Sequence, residues 1–323
     1  MSSTRRSARL MAKTAETSVS TLPALMVAAK PGKAIKPMSK RPKVAKGDAE
    51  AAKPPAVVSE VVATVAVVPL VNSGTPLSSG PFPSLSTPKV MQEAISHLKD
   101  VDPKLGKFID QVTEVCSMSL ERDKDGHTSY ISLCQSIIYQ QLAGKAAAAI
   151  LLRFLKQYGT LKDQSKADLL AESDAKFEAE DFVFPSPQLV ASLDTEELKN
   201  VGLGQRKAEY LKEVSLKFID GTLSDARLAE MSDDEVSRAL VAIRGIGQWT
   251  ADMFLMFHLK RTNILPTLDL AIRKAMCHHF GVPFGKKTPT HEQMVEMGQI
   301  WEPYRSVATW YMWRLSGTIT QKS

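Results

Sequence analysis

Beyond Lys89, apolar residues recur every three to four positions along most of the chain, and this period predicts helices. Val90, Ala94, Leu98 and Val101 share one face, and Leu105, Phe108, Ile109, Val112 and Val115 continue the pattern. The stretch from Tyr130 to Tyr158 reads as two helices parted by a turn near Leu142-Ala143-Gly144. Helical spacing returns at 187–193, 195–200, 206–219, 224–231, 233–243 and 250–259, then after Pro266 near 270–280, 292–301 and 304–315. Ser186, Asp194 and Ser232 stand where N-caps belong, the last with Glu235 in capping-box spacing. No alternating run of comparable length predicts a strand, so the expected fold class is all-α.

Residues 1–86 have a different texture. They are rich in Ala, Ser, Thr, Pro, Lys and Val and hold one aromatic, Phe82. Such a segment buries too little apolar surface to offset its chain entropy, which predicts a disordered N-terminal arm before a domain at 87–323. The net charge of +6 suggests a polyanionic partner, but its distribution qualifies that. Residues 1–89 carry 13 Lys/Arg against 4 Asp/Glu, whereas 90–323 carry 28 against 31. Nucleic-acid binding by the helical part must therefore come from local geometry. Ser39-Lys40-Arg41-Pro42-Lys43 is a basic cluster of the nuclear-import kind, and nuclear localisation is expected. Met1–Lys13, rich in Arg and Ser and free of acids, also suits a transit peptide to chloroplast or mitochondrion. Cys116, Cys134 and Cys277 form neither a disulfide framework nor a metal pattern, which fits a reducing compartment. The Val-rich segment 56–71 is broken by Ser59, Glu60 and Pro69 and is not read as a membrane span.

Candidate chemistry starts at Leu240-Val-Ala-Ile243-Arg244-Gly245-Ile246-Gly247-Gln248-Trp249-Thr250-Ala251-Asp252. One helix runs into Gly-Ile-Gly and another begins at once. Two glycines two apart permit a tight hairpin, and the bare N–H groups of the new helix can hold a phosphate oxygen without reading sequence. Ile243 and Ile246 are the expected anchors. A Gly-x-Gly can also merely join two packed helices. A fainter echo, Val201-Gly202-Leu-Gly204-Gln-Arg206-Lys207-Ala208, again places cations after the glycines. Asp269, in Pro266-Thr-Leu-Asp269-Leu-Ala-Ile-Arg273, sits among apolar neighbours at a helix start. There it could be an ordinary N-cap or an anion placed to stabilise positive charge. His278-His279 and Glu292 lack the spacing of a metal site, and no metal is expected.

Taken together, Gly245-Ile-Gly247 and Asp269 resemble the helix-hairpin-helix-Gly/Pro-Asp superfamily of DNA glycosylases. Three more segments resemble its 3-methyladenine glycosylase branch: Ile137-Ile-Tyr139-Gln140-Gln141-Leu142 with Lys145-Ala-Ala147, Val201–Ala208, and Trp301-x-Pro-Tyr-Arg-Ser-x-Ala-x-Trp310-Tyr-x-Trp313. The resemblance spans about 90–318. It implies two helical lobes with a cleft between them, and a monofunctional enzyme that excises alkylated purines from double-stranded DNA as a monomer. Asp269 would be the catalytic carboxylate. Trp249 falls where bifunctional relatives carry a Schiff-base lysine, so no strand cleavage is expected. Trp249, Trp313, Tyr139 and Met253, the last in place of a pocket tyrosine, would line the base pocket. Gln140, Gln141, Leu142 and Ala143 would plug the gap left by the flipped nucleotide. Lys145, Gly245, Ile246, Gly247, Thr250, Arg206, Lys207 and Arg273 would contact DNA. No cofactor is implied beyond a structural monovalent cation at the Ile243–Gly247 hairpin. Two other readings stay open: a non-catalytic DNA-binding module with Asp269 as a cap, and a glycosylase for other lesions such as deaminated purines.

Overall fold

The computed structural model describes residues 83–113, 116, 127–171 and 176–321. Most of the expected arm, including the basic cluster at 39–43, lies outside the described residues. The end of the arm does not: Leu85 is fully buried and its N–H donates to the Lys260 carbonyl at 3.0 Å. Buried Leu85 and the bridge between Ser84 and Arg261 thus tie down the last residues of a segment for which composition alone predicts disorder.

The first helices are α1 (Pro88–Val101), α2 (Pro103–Gln111), α3 (Ser129–Tyr139) and α4 (Gly144–Tyr158). A hairpin of two-residue strands, β1 (Thr160–Leu161) and antiparallel β2 (Phe182–Val183), follows, with two 3₁₀ turns between the strands. Then come α5 (Pro187–Ser192), α6 (Thr195–Asn200), α7 (Gln205–Ile219), α8 (Asp225–Glu230), α9 (Asp233–Val241) and α10 (Gln248–Phe257). The chain continues through α11 (Leu270–Phe280), α12 (His291–Met297) and α13 (Arg305–Gln321). The fold is all-α apart from that small hairpin.

Local chemistry explains where these helices begin. Proline opens α1, α2 and α5, where its missing N–H would have had no helical partner. Asp194 and Ser232 close full capping boxes with Glu197 and Glu235. The principal packing falls into two sets. In one, α5, α6 and α3 pack on α7, α4 on α3, and α9 on α10. In the other, α13 packs on α11, α1 and α2. Trp301 and Trp310 are wholly buried in the core, as are Phe154 and Phe254 close to it (2% exposed or less). Among the described residues no helix is long and apolar enough to cross a membrane.

Candidate active site

Asp269 is the N-cap of α11, and its half-buried carboxylate is held from two directions. Oδ1 accepts the backbone N–H groups of Ala271 at 2.8 Å and Ile272 at 3.0 Å. Trp249, in the first turn of α10, donates its indole N–H to Oδ2 at 2.8 Å. Trp313, on α13, donates to Oδ1 at 3.3 Å. All four partners are N–H donors, a surround complementary to a carboxylate anion. The cap and charge readings of Asp269 are thus compatible: capping immobilises the group, and the indoles aim it. Both oxygens are engaged, so the side chain acts as a fixed charge.

The aromatic residues divide. Trp249 is half-buried, with its N–H committed to Asp269. Trp313 is 6% exposed and stacks on Phe257 with centroids 5.9 Å apart. Met253, expected at the pocket, is 1% exposed and packs in the core. One helical turn beyond Trp249, α10 turns this side chain to the interior. Tyr139 is half-buried at the end of α3, where burial and the nearby Glu180 raise its phenol pKa. No described hydrogen bond joins it to Asp269.

The hairpin that carries Trp249 follows from its glycines. Gly245 has φ +89°, and a Cβ there would lie 2.1 Å from the Tyr210 ring. Gly247, the N-cap of α10, has an ordinary φ of −95°, and a Cβ there would meet nothing within 4 Å. Among the described residues nothing excludes a side chain at 247. Ile243 and Ile246 are 2% and 4% exposed, and Thr250 is also buried. The echo at Gly202 and Gly204 repeats this design, with φ +99° at the first glycine, buried Leu203 between them, and Gly204 as N-cap of α7 with open space around it.

The turn between α3 and α4 is tied to that hairpin. Gln140 donates its amide N–H to the Gly245 carbonyl at 2.8 Å. Lys207 donates to the Ile138 and Gln140 carbonyls, both at 2.7 Å. Burial lowers the Lys207 pKa. Lys207 was expected to contact DNA; its ammonium instead closes the C-terminal end of α3, where bare carbonyls attract a cation. Gln140 likewise serves as a brace. The outward positions are Gln141, at φ +57°, and Ala143, both exposed, while half-buried Leu142 between them packs against the core. Lys145 and Arg206 are exposed, and Arg273 is half-buried. The hairpin carbonyls suit a hard monovalent cation by donor type, although Gly245 and Ile243 already accept N–H groups of Gln140 and Ile246.

Sequence reasoning missed two polar groups near this site. Asp252, buried on α10, accepts from the Gln248 amide at 2.8 Å, and burial pushes its pKa up to about 6. Thr267 hydrogen-bonds His291 beneath the segment leading to Asp269. The Gln248–Asp252 spacing of four is a helical neighbour signal that could have found the first. The second joins segments with no local pattern between them. His279, weighed as a metal ligand, is instead buried against Asp102 at 2.6 Å.

Comparison with known proteins agrees with this geometry. The chain is 33% identical over 188 residues to YfjP of Bacillus subtilis, covering 58% of this chain and 59% of that protein's length. It is 30% identical over 196 residues to DNA-3-methyladenine glycosylase 1 of Schizosaccharomyces pombe, covering 60% of this chain and 75% of the relative. The solved structure of the S. pombe 3-methyladenine DNA glycosylase Mag1 in complex with abasic DNA superposes with a TM-score of 0.52 at 27% identity, over 69% of this chain and 95% of that one. The family model of the HhH-GPD superfamily base excision DNA repair proteins matches residues 134–303, and the chain belongs to that superfamily.

Proposed function

We propose that this protein is a monofunctional DNA glycosylase that hydrolyses the N-glycosidic bond of alkylated purines in duplex DNA. The observation that carries the reading is the Asp269 carboxylate, held by four N–H donors, one of them the indole of Trp249, the residue that the family resemblance sets at the lysine position of bifunctional relatives. Relatives named DNA-3-methyladenine glycosylase supply the lesion class.

Gly247 and Gly204 leave the first N–H groups of α10 and α7 open to phosphate oxygens, and Lys145 and Arg206 add charge. A monovalent cation on the Ile243–Gly247 carbonyls would add positive charge toward the same phosphate. The target base must leave the stack, at a cost of a few kcal/mol that is lower for a damaged pair. Exposed Gln141, beside half-buried Leu142, would fill the gap, while Gln140 and Lys207 fix the backbone of the turn.

The chemical step moves positive charge onto the deoxyribose as the C1′–N bond lengthens and its electron pair departs with the base. A fixed anion beside the sugar is worth several kcal/mol there. Water then bonds to C1′ and releases a proton. A purine methylated at N3 or N7 is already cationic, so it leaves without a strong general acid. An aromatic face favours such a base by about 0.5–2 kcal/mol. An indole at 249 cannot attack C1′ as an amine would, so the product is an intact abasic strand.

Methylated duplex DNA incubated with the full chain tests this. Chromatography should show free 3-methyladenine or 7-methylguanine, with strand breaks appearing only after alkali. Breaks without alkali would contradict the monofunctional assignment, and release of hypoxanthine alone from mixed-lesion DNA would move the substrate to deaminated purines.

A further inference from the structure

Leu268 and Leu270 flank the Asp269 carboxylate, and they are 60% and 52% exposed. A leucine immediately before an N-cap usually packs on an apolar residue at the fourth position of the helix. In α11 that position is Arg273, so Leu268 has no such seat. Leu270, at the first position, faces away from the buried Ile272, Ala275 and Met276. Two large apolar side chains therefore stand in water on either side of the one carboxylate that the chemistry needs. Arg273, a turn further along, donates its backbone N–H to the Asp269 carbonyl at 3.0 Å, and its guanidinium has no hydrogen-bond or ion-pair partner among the described residues.

We propose that Leu268 and Leu270 form an apolar lip that closes on the deoxyriboses flanking the extruded nucleotide and excludes bulk water from Asp269. The proposal deepens the glycosylase reading and rests on it. Position identifies the occupant: a sugar brought against Asp269 carries its neighbours in the same strand across the lip. Arg273 supplies the opposite charge for the phosphate between them. Covering the leucines removes apolar surface from water and lowers the dielectric around the carboxylate. The anion then acts more strongly on the developing sugar cation than it does in the open site. Lip closure is thus linked to rate more than to grip, because phosphate contacts at the hairpins supply most of the affinity.

Single-turnover excision of 7-methylguanine from a duplex, with enzyme in excess, tests the lip in the full chain. Leu268→Ala with Leu270→Ala should slow excision about tenfold, while the Kd for undamaged duplex changes less than about twofold. Leu268→Met with Leu270→Met should restore most of the rate. Leu216→Ala, at an exposed leucine of α7 remote from this site, should leave both unchanged. Wild-type excision by the double alanine variant would overturn the lip. So would a rate loss matched by an equal loss of duplex affinity, or a dimer of the wild-type chain that the variant dissociates. Asp269→Asn run in parallel separates the two claims. Excision retained in that variant removes the glycosylase reading itself, whereas an inactive Asp269→Asn beside a fully active leucine variant removes only the lip.

Discussion

Gly245 and Gly247 lie two residues apart in one hairpin and are needed for different reasons. At 245 the backbone is left-handed and a Cβ would enter the Tyr210 ring, so the protein itself demands glycine. At 247 neither applies, and only an approaching partner needs the space. Gly245→Ala should destabilise the fold by about 2–4 kcal/mol through strain and overlap. Gly247→Ala should leave thermal stability within about 0.5 kcal/mol yet weaken duplex binding. Thermal melts with a binding isotherm for each variant check the contrast. The sequence displayed both glycines and the helix start at Asp269. It could not display that Trp249 and Trp313 share one carboxylate, since those bonds span 20 and 44 positions. Nor could it show how deeply Met253 is buried, because an apolar residue on an apolar helix reads the same at any depth.

Among the helices, periodicity and caps were the most legible features. Ser186, Asp194 and Ser232 each accept the backbone N–H three residues on, as their spacing implies. Helix α10 begins at Gln248, two residues before the apolar pattern suggests, because the Gly247 carbonyl already accepts the Ala251 N–H at 3.0 Å. The end of α3 was not legible. Its carbonyls are closed by Lys207 from α7, 67 and 69 positions away, and a cation following a Gly-x-Gly looked like a phosphate ligand. The structure separates these neighbours. Lys207→Met should lower stability by about 1–3 kcal/mol, since it strips buried carbonyls of a charged partner, and should change the salt dependence of DNA binding only slightly. Arg206→Ala should leave stability intact and reduce the slope of log K against log salt by about 1. Equal effects of the two substitutions on that slope would contradict the division of roles.

At the scale of the whole molecule, the Asp269 carboxylate belongs to one packing set and its nearer indole to the other, so the Trp249–Asp269 bond spans the junction. Each set must hold its own partner in place. In the second set, Asp102 at the start of α2 accepts from Leu105 N–H, from His279 of α11 and from the Trp301 indole. Burial opposes ionisation of Asp102, but these hydrogen bonds outweigh it and hold the carboxyl down at about 2, against an ordinary 3.8. A depressed acid stabilises the fold fully above its unfolded pKa and loses that contribution as pH falls through the folded one. About 2 kcal/mol should therefore be lost between roughly pH 4 and pH 2. Asp102→Asn should be less stable at neutral pH and should lack that component of acid sensitivity, as denaturant titrations across the window would show. Nothing local in the sequence marks this cluster, whose members lie 177 and 199 positions from Asp102. The most direct test of the whole account is the single-turnover release of 3-methyladenine by Asp269→Asn, measured beside its Kd for abasic duplex. The account predicts a loss of at least about 100-fold in rate with affinity within about threefold of the wild type. Excision at near wild-type rate by that variant would contradict it.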